Sequence, residues 1–213
     1  MDAVGGSADL DHPKPIKRSR LLVGEGWEEM RFFRALADHL KIADIQIEQC
    51  GGKHGLVPYI RTWPVRPGFW QLHSIGITRD ADTSAQSAFE SICNALAEIR
   101  LTPPESLGVP SPGRPKISVL ILPHGRETGM LEDVCLESVR PDPSIECVAA
   151  YFDCLKREAG REPKVSKMSK AQIRVWLASM SEPDKHLGEA AECGYWPWDS
   201  PAFDSVKQFL LAL

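Results

Sequence analysis

The run Ile117-Ser118-Val119-Leu120-Ile121-Leu122 constrains the fold most. A nearly unbroken apolar stretch of strand length, stopped by Pro123, is the pattern of a β-strand covered on both faces. Strands of that kind belong to parallel sheets, because the crossover between parallel strands lays helices on both sides. Other segments repeat the pattern. Leu21-Leu22-Val23 is a second short apolar run, and Phe33, Leu36, Ala37 and Leu40 after it recur at helical spacing, predicting a helix over 28–40. Ile45 and Ile47 alternate within a third strand, 44–49. His73 to Thr78 reads as another, followed by a helix carrying Phe89, Ile92, Cys93, Leu96 and Ile99 on one face. Strands alternating with helices predict an α/β domain with a mainly parallel sheet.

Beyond residue 140 the spacing turns helical. Ile145, Val148, Phe152 and Leu155 form one face, and Ser169 is placed to cap a helix carrying Ile173, Trp176, Leu177 and Met180. Ser200-Pro201 opens a last helix. The expected organisation is a flexible N-terminal arm over 1–19, an α/β domain over 20–140, and a helical C-terminal extension over 141–213 packed on the same domain. The aromatic residues Trp63, Phe69, Trp70, Tyr195, Trp196 and Trp198 could stack on bases of single-stranded nucleic acid, but packing is the favoured reading.

The chain has 213 residues and a formal net charge of −4. An overall electrostatic grip on nucleic acid would need a basic excess, so any such contact must be local or bridged by metal. No apolar run approaches the roughly 20 residues of a membrane span. The polar, acidic start of the chain is no secretory signal, so a cytoplasmic location is expected. The six cysteines form no C-x-x-C pair and the six histidines are scattered, which argues for reduced thiols and against zinc.

Ligand sites in parallel α/β sheets lie at the carboxyl ends of the strands. The acids fall there. Glu25 follows the first strand, with Glu29 four residues on; Asp80 and Asp82 follow the third; Glu132 and Asp133 follow the fourth. Asp80 and Asp82 are two apart, so on extended backbone they point the same way. Carboxylates gathered in one place repel, and either protonation or a cation relieves them. Oxygen donors select Mg²⁺, Mn²⁺ or Ca²⁺. Such a site binds phosphate through the metal. The basic residues that could steady a phosphate are Lys53, His54, His124, Arg126, Lys164, Lys167 and Lys170.

The motifs Leu21-Leu22-Val23-Gly24-Glu25-Gly26-Trp27-Glu28-Glu29, Ile75-Gly76-Ile77-Thr78-Arg79-Asp80-Ala81-Asp82 and Gly129-Met130-Leu131-Glu132-Asp133, in that order, resemble the Toprim domain. More narrowly, the chain is similar to small stand-alone Toprim-like proteins related to the Toprim part of overcoming-lysogenization-defect nucleases. The resemblance covers residues 20 to 137. It implies a Toprim-like Rossmannoid domain in which Glu25, Glu29, Asp80, Asp82 and Glu132 hold one or two Mg²⁺ or Mn²⁺ ions. Thr78 matches a position where related nucleases offer a hydroxyl ligand. Glu25 is the candidate general base, or a ligand shared between ions. Two positions depart from the pattern: Gly24 stands where an apolar residue is usual, and Glu29 where Asp is frequent. The chain is too short for a topoisomerase or primase, which leaves metal-dependent phosphodiester hydrolysis of nucleic acid. Two alternatives stay open. One is a non-catalytic metal- or nucleic-acid-binding module acting with a partner protein such as an ATPase. The other is a phosphohydrolase of small substrates.

Overall fold

The computed structural model describes residues 14–213. Four parallel strands form one sheet in the order β2-β1-β3-β4: β1 is Arg20–Gly24, β2 Gln46–Gln49, β3 Ser74–Asp80 and β4 Lys116–Leu122. Leu22 pairs with Ile47 on one side and Gly76 on the other, and Ile77 pairs with Val119. The third strand outlasts its predicted end at Thr78, because β4 continues to pair as far as Asp80 opposite Leu122. Eight α-helices follow among the described residues: α1 Trp27–His39, α2 Leu56–Arg61, α3 Ala85–Glu98, α4 Leu131–Ser138, α5 Ser144–Ala159, α6 Met168–Ala178, α7 Leu187–Glu192 and α8 Asp204–Leu211.

Side-chain alternation along the strands feeds two cores. Leu21, Val23, Ile75, Ile77, Ile117 and Val119 face α2, α3 and the turns around Trp63 and Phe69. Leu22, Leu120 and Leu122 face α1 and helices α4 to α8. The expected α/β architecture with C-terminal helices is therefore the one observed, and those helices share a core with the sheet. Trp63, Phe69 and Trp196 are fully buried, and Trp176 stacks on Trp196 at 5.2 Å between centroids, so these aromatics pack rather than await a base; Trp70 alone of the six is exposed. Among the described residues no helix is long and apolar enough to cross a membrane.

Three local features differ from the expectation. Of the arm placed at 1–19, residues 1–13 lie outside the described residues, while the segment from Lys14 is held against the body. Ile16 is buried and donates its amide to Pro67 at 2.8 Å. Ser169 does not cap α6, which begins one residue earlier; its hydroxyl donates instead to Asp133 Oδ1 at 2.5 Å. The short helix α7 carries too few apolar residues to announce itself. It exists because Gly188 lets it press on α1: a Cβ there would stand 2.6 Å from the Glu28 carbonyl oxygen. Arg31 fastens the pair by bridging Glu189 at 3.0 Å and Glu192.

Arg66 is 2% exposed and carries the heaviest polar load away from the sheet's carboxyl edge. Its guanidinium donates to Glu48 Oε1 at 2.5 Å, to the Tyr59 hydroxyl at 2.6 Å and to the Lys14 carbonyl. Burial pushes the Glu48 carboxyl up, but hydrogen bonds from Arg66, Tyr59 and Gln46 outweigh it and leave Glu48 below its ordinary value. A carboxyl lowered in the folded state stabilises the fold above its unfolded pKa, and that contribution is lost as pH falls through the folded one. Arg66→Ala strands a buried carboxylate and is expected to cost about 3–5 kcal/mol at pH 7. Urea unfolding at pH 7 and pH 4 checks this. The gap between variant and wild type should narrow at the lower pH, and an equal gap at both would disprove the role given to Glu48.

Candidate active site

Every strand of a parallel sheet ends on the same side, so the loops after β1, β3 and β4 meet along one edge. The backbone there is specialised. Gly26 takes an extended conformation as the N-cap of α1, which turns the first helical residues back over the strand. Glu29, third in that helix, folds toward its own N-terminus and accepts the Glu25 amide at 2.6 Å. Its other oxygen accepts the Thr78 hydroxyl at 2.5 Å, joining α1 to β3.

This contact accounts for Gly24 and Glu29 together. A Cβ at residue 24 would lie 3.0 to 3.2 Å from the Glu29 carboxyl group. Gly24 provides the space, and the longer acid fills it. Thr78, whose hydroxyl is expected to meet a metal, donates its proton to Glu29.

Asp80 closes β3 and accepts the amide of Leu131, the first residue of α4, at 2.9 Å. It therefore satisfies a helix terminus while standing among acids. Its pKa is raised well above the ordinary carboxyl value, by burial first and then by the charges of Glu29, Glu132 and Glu25. Glu29 is raised to about 7, chiefly by burial, with Glu25 adding to it and the Thr78 and Glu25 hydrogen bonds opposing it. Glu25 is raised by burial, against the pull of Arg79. Four of the five sequence-predicted acids are thus within electrostatic reach of Asp80 or are Asp80 itself.

Asp82 is the exception, and the extended Asp-x-Asp expected from the sequence is not observed. Asp82 has φ 51, a left-handed conformation uncommon for a residue with a Cβ. The cause is local pairing. Its amide donates to Gly129 at 2.8 Å and its carbonyl accepts from Gly129 at 3.1 Å, tying the end of β3 to the chain after β4. Its carboxylate is turned to Lys53, 2.7 Å away.

Cations meet the other acids. Glu25 Oε1 lies 3.5 Å from Arg79 Nε, and neither atom has a hydrogen-bond partner although both are buried. Glu132 Oε1 lies 3.0 Å from Lys170 Nζ. Of the seven candidate phosphate partners, Lys53 and Lys170 reach the acids. Arg126 turns to Glu137 at 3.9 Å, and Lys164, Lys167, His54 and His124 are exposed. Arg79 was not foreseen as a site residue, although its place between Thr78 and Asp80 marks it as a neighbour. Burial, with Glu29 and Glu25, pushes the Cys50 thiol up to about 12, which keeps it in the thiol form.

Among the described residues no three Asp, Glu, His or Cys side chains converge closely enough to form a metal cage. The donor set nevertheless fits a hard divalent cation in kind and charge. All donors are oxygens, acids outnumber the basic groups facing them, and Glu25 Oε1 is buried without a hydrogen bond.

The fold and this edge define the class: an α/β protein whose parallel sheet carries a half-buried acidic site at its carboxyl ends. The chain belongs to the family described as "Protein of unknown function (DUF3226)", which matches residues 19–213. No curated protein matches it. Among solved structures it is similar to the C-terminal region of the OLD protein of Xanthomonas campestris pv. campestris, in a mercury-phased and a platinum-phased form. The mercury form is 15% identical with a TM-score of 0.46, over 92% of this chain and 93% of that one. The platinum form is 14% identical with a TM-score of 0.40, over 92% and 95%.

The raised carboxyls have a measurable consequence. Between its unfolded value near 4.5 and about 7, folded Glu29 keeps a proton that the unfolded chain has released. Stability must therefore fall as pH rises through that window, opposite to the usual carboxyl. In a chelator-containing buffer the wild type is expected to be less stable at pH 8 than at pH 5, by on the order of 2–3 kcal/mol from this group. Glu29→Gln should flatten the slope. Chemical denaturation across pH 5–8 tests it, and an undiminished slope in Glu29→Gln would refute the assignment.

Proposed function

We propose that this chain hydrolyses phosphodiester bonds of nucleic acid with the help of Mg²⁺ or Mn²⁺, using a Toprim-like domain over 20–140 and a helical extension over 141–213. The observation that carries this reading is the geometry at the carboxyl edge of the sheet: Glu25 Oε1 is buried without a hydrogen-bond partner, Glu29 is tied to the Glu25 amide and to Thr78, and Asp80 caps the helix that carries Glu132. Mutual repulsion among these acids costs stability, and a cation removes the cost. The residues that would hold the ion are Glu25 and Asp80, with Glu132 beside them, Glu29 buttressed by Thr78, and Asp82 joining once its carboxylate leaves Lys53. When bound, the divalent ion supplies Lewis acidity toward a phosphoryl oxygen.

The remaining roles belong to the chain itself. Glu25 Oε1, free of hydrogen bonds, accepts the proton of the attacking water. Arg79, 3.5 Å from it, keeps the carboxylate in place. Lys53 and Lys170 stand on either side with their ammonium groups against Asp82 and Glu132, where an incoming phosphate competes for them. Glu29 keeps β1, α1 and β3 in register below the reacting groups.

A second reading draws on the ion pairs. Three of the five acids are already matched by Lys53, Arg79 and Lys170. That arrangement suits a non-catalytic module that binds nucleic acid beside a partner protein such as an ATPase.

One experiment separates the two. Supercoiled plasmid, single-stranded DNA and RNA are incubated with Mg²⁺ or Mn²⁺ and either wild type, Glu25→Gln or Asp80→Asn. Asparagine keeps an oxygen for the Leu131 amide, so the helix cap survives while the charge goes. Hydrolysis by the wild type is expected, reduced about 10²-fold or more in Glu25→Gln. Asp80→Asn should lose both cleavage and calorimetrically measured metal binding. Metal binding without cleavage would transfer the assignment to the module, and no metal binding would overturn the metal site.

A further inference from the structure

The charge of the chain is unevenly spread. From Lys156 to Arg174 there are seven basic residues against two acidic, so the rest of the chain carries an acidic excess of nine. Two of the seven have a structural explanation. Lys156 and Arg157 sit in the last turn of α5, where cations complement the helix dipole, and they pair with Glu162 and Glu158. Of the others, Lys170 pairs with Glu132, and four have none. Arg161, Lys164, Lys167 and Arg174 are exposed and form no salt bridge among the described residues. Lys167 is the N-cap of α6 and Lys170 lies in its first turn, which holds no acid. Positive charge at that end opposes the helix dipole.

The strip also leads somewhere. Lys170 and Arg174 are four apart, on one face of α6. Both line a cleft of about 460 Å³ together with Lys185, the acids Glu28 and Asp184, and Glu132 of the acidic site. Lys170 stands where strip and site meet, against Glu132.

We propose that the strip Arg161, Lys164, Lys167, Lys170 and Arg174 is the track on which a single nucleic-acid strand lies, its phosphates leading into the acidic site. This rests on the reading of that site as one that handles phosphodiesters, and it specifies how an acidic protein holds a polyanion. Phosphates supply the matching charge in a row, whereas a mononucleotide engages only the cleft end. The bases stay outward, so the track reads backbone and not sequence.

The test is fluorescence anisotropy with a labelled 20-nucleotide DNA strand across a series of NaCl concentrations, in chelator so that nothing is cut. The triple variant Arg161→Ala, Lys164→Ala, Lys167→Ala is expected to bind at least tenfold more weakly at low salt. The slope of log affinity against log salt should shrink by roughly two, since each phosphate contact on a single strand contributes about 0.7. Arg174→Ala alone should reduce the slope by about 0.7. Lys116→Ala, at the opposite end of the sheet, should leave the slope unchanged. All substituted track residues are exposed, and thermal melting verifies that the variants fold. Wild-type slopes in the track variants would overturn the proposal, as would no binding by the wild type, equal competition by a mononucleotide, or equal competition by an acidic peptide. Cleavage with unaltered slopes would leave the hydrolytic function standing and sink the track. Altered slopes without cleavage would keep the track and sink hydrolysis.

Discussion

The buried carboxyl of Glu29 is the contact on which the rest of the site depends. It joins three elements at once: the turn after β1 through the Glu25 amide, its own helix, and β3 through Thr78. A carboxyl removed from water without partners would be costly, and two short hydrogen bonds are what make this position tolerable. The geometry leaves no slack. With a side chain at residue 24 the carboxyl would have to move, and with an aspartate at 29 the space above Gly24 would be empty. Fixing Glu29 in turn fixes Glu25, whose amide it holds, and brings the strand that carries Asp80 to a set distance from α1.

The C-terminal helices finish what the sheet begins. Glu28, next to Glu29, accepts the Gly188 amide at 2.7 Å, so α7 is tied to the first turn of α1. Asp133 binds its own N-cap residue Met130 at 2.8 Å and Ser169 of α6, so the loop after β4 is held from the C-terminal side. Lys170 then faces Glu132. Three separate contacts from residues beyond 141 therefore reach the acidic edge. Helices α6 and α7 are thus more than a cover over one face of the sheet. They supply a cation to Glu132 and anchor Glu28 and Asp133, the neighbours of Glu29 and Glu132.

How much of this could be read from the sequence follows from the range of each interaction. Strands β1, β3 and β4 and helix α1 were legible because periodicity and apolar runs are local, and the placement of Glu25, Asp80 and Glu132 at strand ends followed directly. The conformation of Asp82 was not legible, since it is set by Gly129, forty-seven positions away in the chain. The pairing of Glu132 with Lys170 and of Asp133 with Ser169 joins an α/β motif to a helix whose own pattern names only its buried face. The compensation between Gly24 and Glu29 lies within five residues, yet it becomes visible only when the side chain is seen to turn back. Read singly, each was a departure from the pattern; together they are one packing solution.

The distribution of charge completes the argument. Anions concentrated at a sheet edge would repel any polyanion as surely as they attract a cation, and within a Debye length of roughly 8 Å at physiological salt that repulsion is barely screened. A chain with an acidic site and an acidic net charge needs a compensating field of its own. Scattering seven basic residues over the surface would cancel net charge without directing anything. Confining them to one segment that ends at Glu132 creates a gradient instead, positive along α6 and negative at the strand ends. The unfavourable placement of Lys167 and Lys170 at the N-terminus of α6 is then intelligible: a few tenths of a kcal/mol of helix stability are exchanged for cations at the threshold of the site.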